Sequence, residues 1–130
     1  EFQTANVFDW LKAETAPRPH EKVVPRYDVV ILDPPSFTRN RQAVADAIRG
    51  YKEIHLRALK LLRPGGTLAT FCCSHHLDAV KFQETIINAA ADARRRLRRV
   101  AVYGQSPDHP IIPAIPETEY LKGFAFEIVT

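Results

Sequence analysis

The sequence has few of the residues that mark several common protein classes. Its 130 residues include only two cysteines and no methionine. The cysteines are adjacent, Cys72 and Cys73, so they cannot form the disulfide framework of a small secreted domain, and a reducing cytoplasm is expected. Its apolar runs are far shorter than the ~20 residues that cross a bilayer, which argues against a membrane protein.

The chain also lacks the usual start of a complete polypeptide. It begins with Glu1 rather than methionine, and no basic segment followed by an apolar one indicates a signal peptide. A chain of this length forms one compact domain at most. We therefore expect residues 1–130 to be one piece of a longer protein, without a targeting segment.

Neither sign of charge dominates. Eighteen Lys and Arg residues oppose fifteen Asp and Glu residues, and the formal net charge of +3 is too small to indicate nucleic-acid binding alone. The arginines over 94–99 follow a predicted helix, where cations stabilise the C-terminal end, and this explains most of that run. A second basic cluster lies between residues 36 and 63 and either contacts phosphate groups or is solvated; it comprises Arg39, Arg41, Arg49, Lys52, Arg57, Lys60 and Arg63.

Apolar patterning predicts alternating strands and helices. The apolar run over 28–33 does not alternate with polar residues, which is typical of a parallel strand covered on both faces. Helical spacing over 42–62 ends at Pro64-Gly65-Gly66, and Asp78 is a predicted N-cap. The predicted strands are 28–33, 67–73, 98–104 and 120–129, with a strand end at 2–5; the predicted helices are a short one after Asn6, then 42–62 and 78–97.

This order of elements predicts an α/β fold. Strand, helix and strand in succession form βαβ units with right-handed crossovers and a mostly parallel sheet. No helix separates the last two strands, so we expect them to pair antiparallel at one edge. The chain is therefore predicted to form half of a doubly wound sheet with flanking helices.

Polar residues follow three of the predicted strands. In open α/β sheets, ligands bind beyond the carboxyl ends of the strands. Asn6, Asp33 and Cys73 each lie at such an end or one step beyond it. Parallel pairing would bring these side chains to one rim of the sheet, which predicts a site there.

The Asp33-Pro34-Pro35 sequence favours an open, acceptor-rich turn. A residue before proline is excluded from the helical region, so Asp33 is held extended. Neither proline has an N–H, so the carbonyls of the turn stay available to a donor such as an exocyclic amino group. The alternative interpretation is that the prolines only end the strand.

Cys73 is the candidate nucleophile. A thiol just before a helix that starts near Asp78 lies where the helix dipole favours the thiolate, and His75 and His76 add nearby cations. Cys72 has the opposite parity on the strand and is predicted to be buried. Adjacent cysteines diverge on a strand, so we expect no metal site in Cys72-Cys73-Ser-His-His76.

Six short motifs in series resemble one known family. They are Asp33-Pro-Pro-Ser-Phe37, Arg49-Gly-Tyr-Lys52, Leu61-Leu-Arg-Pro-Gly-Gly66, Cys73-Ser74, Asp108-His-Pro110 and Glu119-Tyr-Leu-Lys-Gly-Phe124. In this order they resemble the bacterial cytosine-5 methyltransferases of large-subunit ribosomal RNA, type I. These are S-adenosylmethionine-dependent enzymes with a Rossmann-like fold. The resemblance runs from Asn6 to Val129 and implies the C-terminal part of the catalytic domain.

The resemblance also implies roles for individual residues. Cys73 matches the catalytic cysteine, although the family's Ser-Cys-Ser motif is Cys-Cys-Ser here, and Asp33 matches the acid beside the methyl donor and the target base. Asn6 stands where the family usually has an Asp near the adenine. The implied cofactor contacts are Asn6, Val7, Asp33 and Pro34, and the implied substrate contacts are Pro35, Arg39, Arg49 and Lys52.

The resemblance sets the expected partners as well. The cofactor is S-adenosylmethionine, and the substrate is ribosomal RNA, single-stranded or in a loop, because the base must leave its stack to react. A homodimer is left open. The sequence has no Gly-x-Gly-x-Gly loop, so the glycine-rich half of the cofactor site and the RNA-binding N-terminal domain are expected upstream of Glu1, and the 130 residues alone are expected to be inactive.

Two other functions remain open at this point. A methyltransferase acting on an exocyclic base nitrogen uses a similar Asp-Pro-Pro-aromatic motif and needs no cysteine. A non-catalytic module that binds RNA through a basic helix face would need neither the cysteine nor the cofactor.

Overall fold

The chain forms a four-stranded sheet with helices packed on it, so the predicted α/β fold is confirmed. A computed structural model describes residues 1–37 and 40–130. The helices are α1 (Val7–Glu14), α2 (Val44–Leu61) and α3 (Ala79–Asp92). The strands are β1 (Tyr27–Leu32), β2 (Leu62–Cys72), β3 (Leu97–Tyr103) and β4 (Lys122–Ile128), and short 3-10 turns cover Arg41–Ala43 and Pro116–Thr118.

The strands lie in the order β1-β2-β4-β3. β1 and β2 are parallel, with Leu32 opposite Thr70. β4 runs antiparallel to both of its neighbours, β2 and β3. The predicted antiparallel pair at one edge is therefore confirmed. β2 also begins earlier than predicted, at Leu62, because Leu62 already pairs with Tyr27.

One face of the sheet carries the core. Alternate residues of β2 are fully buried, and they share one cluster with the buried side chains of all three helices. The aromatic part of this cluster runs from α2 across α3 to β4: Tyr51, Phe82, Phe124 and Phe126.

The other face of the sheet is open in the part of the chain that the structure describes. Val29 and Ile31 of β1 are 58% and 67% exposed. The Phe71 ring lies over Gly123, where a Cβ would come within 2.5 Å of it, and packs against Tyr103. The expectation that β1 is covered on both faces is therefore wrong for the described residues, because α1, α2 and α3 all pack on the other face of the sheet.

Two of the predicted boundaries are also wrong. No strand forms over 2–5; Asn6 is instead the N-cap of α1, and its side-chain oxygen accepts from the backbone N–H groups of Phe8 (3.0 Å) and Asp9 (3.3 Å). Leu97 belongs to β3 rather than to α3, because the helix ends at Asp92 and Arg94 adopts a positive φ of 56°. The helical spacing of apolar residues does not show that the chain turns back after Asp92.

His55 is a fully buried histidine between α2 and β2. Its Nδ1 lies 2.5 Å from the Tyr51 carbonyl oxygen and its Nε2 lies 2.7 Å from Thr70 Oγ1. A carbonyl only accepts, so Nδ1 donates to it and Nε2 accepts from the threonine hydroxyl. Burial lowers the pKa of His55 from 6.5 to about 4, so the ring is neutral in the folded chain.

We expect this histidine to make the fold acid-sensitive. As the pH falls below 6.5 the unfolded chain binds a proton at His55, whereas the folded chain binds it only near pH 4. The free energy of unfolding should fall across this window by about 3 kcal/mol, at ~1.4 kcal/mol per pKa unit. Denaturant unfolding at several pH values measures this slope.

The variant His55→Asn provides the comparison. It should be less stable at pH 7 but should lose most of the pH dependence between 6.5 and 4. The remaining histidines are exposed. Parallel pH curves for the two proteins would refute the assignment.

Candidate active site

The carboxyl ends of β1 and β2 lie side by side. Because Leu32 is opposite Thr70, Asp33 continues β1 next to Phe71, and Cys73 follows two residues further along β2. Strand spacing of about 4.8 Å and a rise of about 3.3 Å per residue place the two Cα atoms about 8 Å apart. Continued strand alternation would put both side chains on the same face of the sheet.

The two cysteines have different environments, as their parity predicts. Cys72 is fully buried, and its Sγ donates to the Tyr51 hydroxyl oxygen at 3.4 Å. Cys73 is partly exposed and lies beyond the end of β2. Cys73 is therefore the accessible thiol of the pair.

A cavity of about 380 Å³ opens beside the carboxyl end of β1. It brings together five residues predicted from the sequence at this rim, with polar groups from Asn6 and Asp33 and largely apolar walls. Cys73 lies outside this lining. The lining residues are Asn6, Val7, Phe8, Ile31, Leu32, Asp33, Pro34, Pro35, Phe37 and Ile54.

The loop that follows Asp33 is fixed by aromatic contacts at Phe37. The Phe37 ring packs against Tyr51 of α2 at a centroid distance of 4.6 Å and against Phe8 of α1 at 5.6 Å. It also covers Gly50, where a Cβ would already be in ordinary contact at 3.5 Å. The Arg49-Gly-Tyr-Lys52 motif thus supplies the surface on which the Asp33–Phe37 loop rests.

A second cavity, of about 440 Å³, lies between the start of α3 and the loop before β4. Lys122 donates to the Ser74 carbonyl oxygen and so ties β4 to the residue after Cys73. The sequence predicted His75 as a cation near Cys73 and Asp78 as a helix N-cap, but it did not predict a cavity here. The residues that line it are His75, Asp78, Ala79, Pro116, Glu117, Glu119 and Lys122.

The loop between β3 and β4 is held together by Gln105. Its side-chain nitrogen donates to the carbonyl oxygens of His109 (2.8 Å) and Thr118 (2.5 Å), and its oxygen accepts from the backbone N–H of Tyr120 (3.1 Å). The Gln105 side chain therefore orders a loop that lies outside the regular hydrogen bonding of the sheet.

Two of the three basic residues predicted to contact the substrate form ion pairs on the protein surface. Arg49 pairs with Asp46 on the surface of α2, and Lys52 pairs with Asp92 at the far end of α3, at 2.7 Å. Neither residue lines the cavity at β1. Arg39 lies outside the described residues. Contact of these residues with RNA stays a prediction.

Part of the arginine run has a structural role. Arg95 donates to the carbonyl oxygens of Leu59 (3.1 Å) and Leu62 (2.7 Å), at the junction of α2 and β2. Arg99 donates to the Gln83 side chain and lies over the Phe124 ring. The run was predicted to stabilise the C-terminal end of the helix before it, but the last turn of α3 holds no basic residue, and Arg95 instead contacts the end of α2.

No helix in the described ranges is both long and apolar enough to span a lipid bilayer. Within those same residues, no three His, Cys, Asp or Glu side chains are grouped so that they could hold a metal ion.

Curated proteins resemble this chain closely. Ribosomal RNA large subunit methyltransferase I from Aliivibrio fischeri is 42% identical over 129 residues, which are 99% of this chain and 31% of that protein. The protein of the same name from Vibrio parahaemolyticus is 43% identical over 98% of the chain and 31% of its own length. The Serratia proteamaculans protein is 40% identical over 99% of the chain and 31% of its own length. No protein-family model matches.

Solved structures share the fold. The structure of SMU.776, described as a methyltransferase complexed with SAH, superposes with a TM-score of 0.72 at 22% identity, covering 95% of this chain and 30% of that one. A SAM-dependent methyltransferase from Streptococcus mutans gives 0.71 at 19% identity, covering 95% and 29%. The resemblance seen in the sequence is confirmed: from end to end, this chain is homologous to about a third of the length of the ribosomal RNA large subunit methyltransferase I proteins.

Proposed function

We propose that this chain is the C-terminal part of the catalytic domain of an S-adenosylmethionine-dependent methyltransferase that forms 5-methylcytosine in ribosomal RNA. The observation that carries the proposal is the placement of Asp33 and the accessible Cys73 at the ends of neighbouring parallel strands. The names of the curated relatives support an RNA substrate and a methyl transfer.

The cavity at the end of β1 fits one part of a methyl donor. Its apolar walls suit an adenine ring, and Asn6 retains an amide N–H₂ because only its side-chain oxygen is used in capping α1. Asn6, Val7, Asp33 and Pro34 would hold the donor there. When bound, S-adenosylmethionine supplies an electrophilic methyl group. The glycine-rich part of such a site is not in this sequence.

Cys73 would make the cytosine reactive. C5 of cytosine is a poor nucleophile, but addition of the Cys73 thiolate at C6 forms the S–C6 bond and moves the C5–C6 π electrons onto C5. After C5 is methylated, a base removes the C5 proton, the double bond re-forms and the thiolate leaves. This covalent route divides one difficult step into easier ones.

Asp33 would assist the addition. A carboxyl group that protonates or hydrogen-bonds N3 withdraws charge from the ring as the thiolate adds. Asp33 is exposed at the cavity, and the prolines after it leave the turn without N–H donors that would compete for the carboxylate. Pro35, Arg49, Lys52 and Arg39 remain proposed contacts for the RNA.

The test is capture of the covalent adduct. Full-length protein is incubated with S-adenosylmethionine and a ribosomal RNA fragment that carries 5-fluorocytosine at the target position. Fluorine cannot leave as a proton does, so an RNA–protein adduct that survives denaturation should accumulate. Cys73→Ser should form none, and the matched variant Cys72→Ser should form it normally.

Mass spectrometry of the methylated nucleoside separates the alternatives. 5-Methylcytosine together with the adduct supports the proposal. A methyl group on an exocyclic nitrogen, with no adduct, would identify the other methyltransferase class and refute the cysteine chemistry. Intact protein that binds RNA but transfers no methyl group would indicate a binding module instead.

A further inference from the structure

The buried tyrosine of α2 connects the two halves of the proposed site. We propose that Tyr51 is a positioning residue, which fixes the Asp33–Phe37 loop against the strand that carries Cys73. This inference rests on the proposed function only in assigning the loop and the strand to one reaction.

The hydroxyl group of Tyr51 lies between two backbone segments. Cys72 Sγ donates to it at 3.4 Å, which ties it to the last residue of β2 before Cys73. On the other side, the same hydroxyl group faces the backbone of Phe37. The Tyr51 side chain therefore lies between the loop after β1 and the end of β2, with a hydrogen bond to Cys72 and a ring contact to Phe37.

The tyrosine ring reinforces this arrangement. Tyr51 is fully buried. Its ring contacts Phe37 at a centroid distance of 4.6 Å on the loop side and Phe82 of α3 at 5.6 Å on the core side. The loop that presents Asp33 thus rests on a side chain whose own position is set by the core and by Cys72.

Tyr51 is suited to holding the Asp33–Phe37 loop in position but not to transferring a proton. Burial above all raises the pKa of the Tyr51 phenol, the hydrogen bond with Cys72 raises it further, and negative charge on Cys72 or Cys73 acts in the same direction. The phenol therefore stays protonated near neutral pH, where enzymes use their general bases. Tyr51 is thus excluded as the base that removes the C5 proton.

The test compares Tyr51→Phe with the wild type in the full-length enzyme. Phenylalanine keeps the ring contacts and removes only the hydroxyl oxygen. We expect kcat for RNA methylation to fall about tenfold, because a small displacement of a reacting group is enough to slow chemistry. KM for RNA should change less than twofold. Deuterium uptake over 33–37, measured by mass spectrometry, should speed up.

Three further variants complete the test. Tyr103→Phe, on the open face of the sheet, should change none of these values. Cys72→Ala removes one partner but leaves the Phe37 contact, so kcat should change less than threefold. Phe37→Leu should reproduce the effect of Tyr51→Phe on kcat and on deuterium uptake, and it substitutes for that variant if Tyr51→Phe fails to fold.

The outcomes separate the two proposals. An unchanged kcat, or a lower kcat with unchanged deuterium uptake over 33–37, would overturn the positioning role. If the product proves to be an N-methylated base, a lower kcat and faster uptake in Tyr51→Phe would still support positioning, while the cytosine-5 proposal fails.

Discussion

Replacing Cys73 by serine in the full-length protein should lower the rate of RNA methylation on the order of 10³-fold or more, because a hydroxyl is a far weaker nucleophile than a thiolate at neutral pH. The residue is partly exposed beyond β2, so the substitution fills the same space and leaves the core intact. Single-turnover methylation of the ribosomal RNA fragment measures the effect. The loss should appear in the chemical step, with RNA binding nearly unchanged.

Cys72→Ser is the matched control. Both thiols become hydroxyls, but Cys72 is fully buried and its partner is Tyr51 rather than solvent. The serine hydroxyl can keep that hydrogen bond, so activity should stay within a few-fold of the wild type. Equal losses in the two variants, or full activity in Cys73→Ser, would eliminate the covalent mechanism.

Changing Asp33 to asparagine should lower methylation by about 10²-fold or more, within the usual range for loss of a general acid or base. Asparagine is nearly isosteric and cannot transfer a proton to N3, while the extended backbone before Pro34 is unaffected. The measurement is kcat of the full-length enzyme with saturating cofactor and RNA.

A second acidic residue of the same strand region serves as the control for Asp33. Asp28, near the start of β1, accepts from Arg63 at 2.9 Å and is well exposed. Exposed ion pairs of this kind contribute about 0–1 kcal/mol, so Asp28→Asn should leave both activity and folding nearly unchanged. If Asp33→Asn behaves like Asp28→Asn, the carboxyl group has no part in the reaction.

The sequence predicted those features that depend on local pattern. Apolar runs and their stop signals located all four strands to within a few residues, and Asp78 was correctly predicted as the N-cap of α3, where its side chain accepts from the Lys81 N–H at 2.7 Å. Parity along β2 separated the buried Cys72 from the accessible Cys73, because successive side chains of a strand point to opposite faces. These two rules together also placed Asp33 and Cys73 at the ends of neighbouring parallel strands.

The features that were missed depend on contacts between distant residues. The Asn6 side chain caps α1, although a strand end was expected just before it. The residues around Asn6 are compatible with either a strand end or a helix N-terminus. Nothing local shows that Tyr51 meets Cys72 and Phe37, which lie 21 and 14 positions away along the chain. The cavity beside α3 also needs the loop before β4 to fold back, and Gln105 achieves this through carbonyl groups that no side-chain pattern reveals.

The open face of the sheet has a practical consequence for handling this polypeptide. Val29, Ile31 and the Phe71–Tyr103 pair form an apolar surface next to β1, whose outer edge pairs with no other strand in the described residues. Exposed apolar surface beside an unpaired edge promotes association between copies. Purified as 130 residues alone, the chain would therefore self-associate as its concentration rises. A light-scattering signal from such samples would reflect contacts between these exposed apolar surfaces rather than a biological oligomer.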